Sequence, residues 1–234
     1  MEIKLVVFDM AGTTVSDNNN VHQALQNALK TEGVIASIPE INEVMGYPKA
    51  VAIRNLLEKK MDNSSLITDA LINHIHEIFL QEIIAFYKND PGVVERKGAS
   101  EVFRCLREKG IKVALDTGFN RATANAIIHR LGWEKAIDVS ITSDDVTKGR
   151  PHPDMIFRAM ELVGVTNVLQ VAKVGDTLSD IQEGRAAGCR YIVGILNGAY
   201  QQEELQAEQP THIIHDLPEI LNLVNQTFDP KPVV

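Results

Sequence analysis

Residues 3 to 14 read IKLVVFDMAGTT. Ile3 to Phe8 form a short apolar run rich in β-branched residues, the composition of a strand buried on both faces of a parallel sheet. DMAGTT breaks that run and leaves a carboxylate, Asp9, just past its carboxyl end. Similar short candidates follow at Lys112 to Leu115, Asp138 to Thr142, Ala172 to Val174 and Tyr191 to Ile195, most of them separated by helical patterns. GASEVFRCLREKG reads as an amphipathic helix stopping at Gly110, and RATANAIIHRLG as another stopping at Gly132. Strand and helix in alternation predict an α/β fold built on a doubly wound parallel sheet.

Between about Val21 and Lys88 the pattern changes. VHQALQNALKTEG, PKAVAIRNLLEKK and SLITDALINHIHEIFLQEIIAFYK carry apolar residues at helical spacing with no convincing strand between them. The expected organisation is therefore a helical cap over 16–91, inserted into a core made of 1–15 and 92–234. The polar run SDNNN and the breaker KNDPG serve as its hinges.

With 234 residues, 44% of them hydrophobic, the chain is long enough for a full core plus an accessory domain. Its net charge of -8 disfavours nucleic acid or an anionic membrane as partner, since both call for a basic surface. Cys105 and Cys189 lie far apart without CxxC spacing, which suggests neither a disulfide framework nor a zinc site. No secretory signal and no membrane-spanning run is apparent, so a cytoplasmic monomer or homodimer is expected.

In an open parallel sheet, ligands bind beyond the carboxyl ends of the strands, near the point where the strand order reverses. Four polar signals fall at such ends: Asp9 after the first strand, Thr117 closing VALDT, Arg150 in KGRPHPD, and Asp176 with Asp180 in VGDTLSD. A lone Asp after a strand is more often a turn or cap residue. The four together, in this order and setting, are harder to explain as accident.

At these residues the sequence resembles the haloacid dehalogenase superfamily over nearly its whole length. VVFDMAGTT, VALDTG, the arginine before PHPD, and VGDTLSD match its four motifs in turn. The resemblance implies a Rossmann-like core with a mobile cap, Asp9 as covalent nucleophile on phosphorus, and Thr117 as phosphoryl anchor. It further implies Arg150 as cationic stabiliser and Asp176 as a magnesium ligand. Physical chemistry agrees, because a carboxylate attacks an anionic phosphoryl group only when their repulsion is relieved. Mg2+ prefers hard oxygens, and Asp9, the Ala11 carbonyl and Asp176 could supply them. An aspartyl-phosphate divides one difficult displacement into two. Arg150, the Thr117 hydroxyl and backbone amides of the Asp9 loop would hold the remaining phosphoryl oxygens, with Thr13 and Gly118 also against the substrate. Asp180 would hold a metal-bound water or orient Arg150 or Lys148, or simply act as a first-turn helix acid.

Phosphomonoesterases of the superfamily carry an acid two residues after the nucleophile, where this chain has Ala11. Asp-x-Ala-Gly-Thr is instead the pattern of phosphonoacetaldehyde hydrolase (phosphonatase), which breaks a phosphorus–carbon bond. MGYPKAVAIRNLL matches that group's cap segment, with Met45 and Gly46 retained and Lys49 in the Schiff-base position. An imine at Lys49 would accept the departing carbon as an enamine and remove the need for an acid at position 11. Two positions depart from the phosphonatase pattern: Ala52 stands for a histidine and Phe119 for a tyrosine. His22, His74 and His76 lie in the cap and are read mainly as surface or packing residues, and Asp144 and Asp145 as loop and cap residues. The expected activity is therefore Mg2+-dependent hydrolysis of a small phosphonate, with a phosphoglycolate phosphatase-like phosphomonoesterase as alternative. A non-catalytic phosphate binder would have no need of the nucleophile.

Overall fold

The computed structural model describes residues 2–196 and 200–225. Six strands form one sheet: β1 (Leu5–Asp9), β2 (Lys112–Thr117), β3 (Val139–Thr142), β4 (Val171–Gly175), β5 (Tyr191–Ile195) and β6 (His212–Ile214). All pairings are parallel and the order is β3-β2-β1-β4-β5-β6. The chain winds outward from β1 through β2 to β3, then crosses back to lay β4 on the other side of β1. The reversal opens a crevice at the carboxyl ends of β1 and β4.

Each central strand is apolar on both faces because helices cover both. Val6 and Phe8 of β1 enter one apolar cluster, while Leu5 and Val7 enter the other. Helices α5 (Ala99–Glu108) and α6 (Arg121–Leu131) cover the first face, and α7 (Asp154–Val163) and α8 (Leu178–Ala187) cover the second. Gly110 and Gly132, read as helix stops, both adopt positive φ, at 72° and 68°, where a glycine carries no Cβ penalty. The short α9 (Gln202–Ala207) and α10 (Ile220–Val224) complete the described chain. Among the described residues no helix is long and apolar enough to cross a membrane.

Between β1 and α5 the chain forms α1 (Asn20–Lys30), α2 (Ile38–Asn42), α3 (Lys49–Lys60) and α4 (Asp69–Asn89), without a strand. The sequence reading ran the last of these back to Ser65. Instead Ser64–Leu66 make a 3-10 turn and Thr68 caps α4, its hydroxyl accepting from the Leu71 amide at 3.2 Å. The two crossings lie side by side: the Ser16 amide donates to the Val94 carbonyl at 3.1 Å and the Arg96 amide to the Thr14 carbonyl at 2.7 Å. One apolar cluster runs from Phe8 and Phe103 through Phe119 and Tyr87 to Ile53 and Phe79, so the inserted helices share the core of the sheet's first face.

Two other sequence expectations shift. The first strand starts at Leu5 and includes Asp9, whose backbone still pairs with Asp116. A sixth strand, β6, appears where only three residues (HII) extend the sheet edge.

Phe103 is buried between Phe8 and Trp133, at ring-centroid distances of 5.5 and 5.2 Å. Phe103→Ala should lower the unfolding free energy by about 3–5 kcal/mol in chemical denaturation. A loss below about 1 kcal/mol would mean that this stack does not hold α5 to the sheet.

Candidate active site

β1 delivers Asp9 to the crevice, and the following loop is a tight knot. The amides of Thr13, Thr14 and Val15 all donate to the Met10 carbonyl, and Gly12, at φ 94°, donates its amide to the Val15 carbonyl. The amides of Gly12, Thr13, Thr14 and Val15 are therefore engaged within the turn. Thr13 is fully buried and its hydroxyl donates to Asp176 Oδ1 at 2.8 Å, so it orients that carboxylate and is not among the residues lining the two cavities.

Two adjoining cavities meet at the crevice. One is lined by Asp9, Ala11, Met45, Gly46, Lys49, Thr117, Gly118 and Phe119, which brings together eight of the residues expected from sequence. The other holds Asp17, His22, Asp176 and Tyr200, and the two share Ala11, Met45 and Thr177. Thr117 ends β2; its oxygen accepts from the Phe119 amide at 3.2 Å, leaving the O–H to donate. Lys49, the first residue of α3, is 6% exposed, and its Nζ lies 5.3 Å from the Phe119 ring centroid. Burial, reinforced by the positive charge of Arg150 and opposed by Asp9 and Asp17, lowers its pKa to about 8. The positive end of α3 acts in the same direction.

Arg150 sits deeper than the sequence reading supposed. Its side chain is fully buried and absent from the cavity lining. It contacts Asp9 at 2.8 Å, Asp116 at 2.9 Å, Asp180 at 2.8 Å and Glu183 at 3.4 Å. Lys173, also buried, pairs with Asp116, with Asp180 at 3.1 Å and with Glu183 at 2.9 Å. Four carboxyls thus surround two fixed cations. Glu183 is shifted upward: burial, with Asp116 beside it, raises its pKa well above the usual carboxylate range against the pull of Lys173 and Arg150. Asp180 moves the other way: against the cost of burial, Arg150, Lys173 and the Thr177 hydroxyl hold it below the usual value. Burial also pushes Asp9 up to about 6, against the pull of Arg150.

Asp9, Asp116 and Asp180 each place an oxygen within 4.8 Å of the others, a spacing that could hold a metal ion. Arg150 and Lys173 already compensate that set. On the cavity side Asp9 lines the first cavity, Asp176 the second and Ala11 both, and their carboxylate and carbonyl oxygens are hard donors of the kind Mg2+ takes.

Sequence reading does not single out Asp116, Lys173 or Glu183. The available signal was a charge inside each of two apolar strands, VALDT and VAKVG, and an acid three residues after Asp180 on the same helix face. Lys148 is exposed, and the structure does not bring it to the cluster. Asp144 and Asp145 serve the loop: Asp144 accepts from the Arg121 amide and Asp145 caps the turn at Thr142. His74 is exposed beside Glu32, His22 is bonded to Asn42 at 2.6 Å, and His76 is half-buried, stacked on Phe79. Burial and then the nearby Lys49 charge lower the His76 pKa.

Comparison with known proteins agrees with this arrangement. A model of haloacid dehalogenase-like hydrolases matches residues 3–188. The chain belongs to that family. A Bacillus cereus phosphonoacetaldehyde hydrolase is 31% identical over 240 residues, covering 97% of this chain and 89% of its own. The same fold occurs in a hydrolase from Pseudomonas syringae, with a TM-score of 0.83 at 23% identity over 94% of this chain and 96% of that one. It occurs also in a phosphonoacetaldehyde hydrolase-like protein from Oleispira antarctica, with a TM-score of 0.79 at 24% identity over 96% and 92%. This haloacid dehalogenase-like chain is accordingly a hydrolase, with phosphonatases among its relatives.

The charge balance is testable. Glu183→Gln keeps the shape of the neutral acid and should cost less than about 1 kcal/mol at pH 7, whereas Asp180→Asn, which strips a charge from Arg150 and Lys173, should cost about 3–5 kcal/mol. Because the folded chain raises the Glu183 pKa, wild-type stability falls as pH climbs above the ordinary carboxylate range. The glutamine variant should therefore gain on wild type with rising pH. Equal losses for the two variants in urea titrations would contradict a protonated Glu183.

Proposed function

We propose that this hydrolase cleaves the phosphorus–carbon bond of phosphonoacetaldehyde or a closely related small carbonyl phosphonate. One observation carries the reading: a buried lysine of lowered pKa, Lys49, lines the same cavity as Asp9, while the position of the missing acid is Ala11. At pH 7.5 a lysine with a pKa near 8 has roughly a quarter of its amines unprotonated, against about one in a thousand for an ordinary lysine. A phosphatase has no evident use for such an amine.

The Lys49 amine adds to the aldehyde and water leaves, giving a protonated imine. Asp9 then attacks phosphorus, and the electrons of the breaking P–C bond pass into the imine to form a neutral enamine. Protonation of the enamine carbon and hydrolysis of the imine release acetaldehyde and restore Lys49. Water cleaves the aspartyl-phosphate to free phosphate and Asp9. Thr117 donates its hydroxyl to the phosphoryl group, and the backbone at Gly118 with Met45, Gly46 and Phe119 shapes the walls. Arg150 acts from behind, holding the Asp9 oxygen at 2.8 Å so that the carboxylate is aimed and its charge partly balanced. Asp9, the Ala11 carbonyl and Asp176 would hold Mg2+, which supplies charge neutralisation between carboxylate and phosphoryl group. Residues 16–91 would form the cap that carries Lys49, and the described residues on either side of it the catalytic core.

Lys49→Arg keeps the charge but loses the nucleophilic amine, so it should lower kcat/KM for phosphonoacetaldehyde about as far as Lys49→Ala, by at least about 10^3-fold. If the arginine variant works nearly normally and mainly raises KM, Lys49 only attracts an anion and a phosphatase reading takes over. In wild type, log kcat/KM should rise with pH up to about 8 and then level, as Lys49 loses its proton. A profile flat from pH 6.5 to 9 would show that no free amine takes part.

A further inference from the structure

The cap segment before Lys49 lies against the core with its backbone in close approach at several points. An added Cβ at Gly118 would stand 2.6 Å from the Tyr47 carbonyl oxygen and 2.7 Å from that of Gly46, and one at Gly149 would stand 2.5 Å from Pro48 Cγ. At Gly46, with φ 81°, a Cβ would fall 2.1 Å from Ser179 Oγ and 2.7 Å from Thr177 Oγ1. Glycines at three points of this interface thus allow the chain from Met45 to Lys49 to lie directly on the loops that follow β2, β3 and β4.

At the centre of this contact is one hydroxyl. Ser179, 2% exposed in the first turn of α8, donates to the Met45 carbonyl at 3.1 Å. Its oxygen is also 2.9 Å from Thr177 Oγ1. Thr177 donates to Asp180 Oδ2 at 2.5 Å, and Asp180 Oδ1 meets Arg150, which in turn holds Asp9. A serine has a single proton to give. With the cap segment seated it goes to Met45; with the segment lifted, Thr177 is the acceptor at hand. Ser179 therefore has a hydrogen-bonding partner in either state, so the bond to Met45 adds only a modest bias toward the seated one.

We propose that Ser179 is a positioning residue that seats the Met45–Lys49 segment, and with it the Lys49 amine, over Asp9. The proposal rests on the reading of Lys49 as the reacting amine, although the seating itself does not. The hydroxyl acts through the backbone of Met45 and touches no reacting atom. Removing it leaves the Asp9, Thr117 and Arg150 machinery in place and lowers the fraction of molecules whose lysine is seated. Saturating substrate restores that fraction, so the effect falls on KM.

The test uses the full chain with Mg2+. Ser179→Ala should raise KM for phosphonoacetaldehyde about threefold to tenfold with kcat within about twofold. In the substrate-free protein it should speed amide exchange at Met45, Gly46 and Lys49 by at least that factor, with β1 and β4 unchanged. Gly46→Ala drives a methyl into the hydroxyl, and its loss of kcat/KM should be at least about fivefold smaller in the Ser179→Ala background than in wild type. The positive φ at Gly46 and the 2.7 Å approach to Thr177 Oγ1 are common to both backgrounds and cancel in that comparison. Exchange at 45–49 indifferent to Ser179→Ala, additive effects of the two substitutions, or a fall in kcat with KM unchanged would each overturn the seat. If exchange responds but Lys49→Arg remains fully active, the seat stands and the imine chemistry falls.

Discussion

The contact between Arg150 and Asp9 is the constraint on which the rest of the site depends. A fully buried guanidinium tolerates its surroundings only when carboxylates compensate it, and here Asp9, Asp116, Asp180 and Glu183 converge on it. Those acids come from β1, β2 and α8, and Lys173 from β4 ties three of them together. The carboxyl ends of the central strands are thus joined by charge as well as by sheet hydrogen bonds. Asp9, the proposed nucleophile, is held by the same pair that the fold needs to bury.

Two opposite pKa shifts follow from one cause. Burial works against the charged form of every group in the crevice, so Asp9 moves up toward 6 and Lys49 down toward 8. In the proposed reaction neither residue gains its reactive form for nothing: Asp9 must lose a proton to attack, and Lys49 must lose one to form an imine. A cation at the Asp9–Ala11–Asp176 oxygens would assist the first, and the seat of the cap segment on Gly118, Gly149 and Ser179 would favour the second by keeping Lys49 out of water.

Much of this was legible in the sequence. IKLVVFD shows a buried strand ending in an acid, and the glycine stops at 110 and 132 mark true positive-φ helix ends. Asp9, Lys49, Thr117 and Phe119 line one cavity, as their motif positions suggest. What stayed hidden depends on the third dimension. VAKVG reads as an apolar strand because one lysine barely changes its pattern, and only the fold shows that the lysine meets three acids. Arg150 looks like a ligand for phosphate until its four carboxylate neighbours are counted. His22, His74 and His76 could not be separated by spacing, whereas the structure gives each a different partner. HII is too short to stand out as a strand and becomes one only against the edge of β5.

The claim that an amine on the cap and a carboxylate on the core act on one substrate is tested most directly by chemical trapping. Borohydride added during turnover of phosphonoacetaldehyde should reduce the imine and leave a two-carbon adduct, found by peptide mass spectrometry on Lys49 and absent without substrate. Turnover with phosphate release but an unmodified Lys49, or an adduct on another lysine, would contradict it.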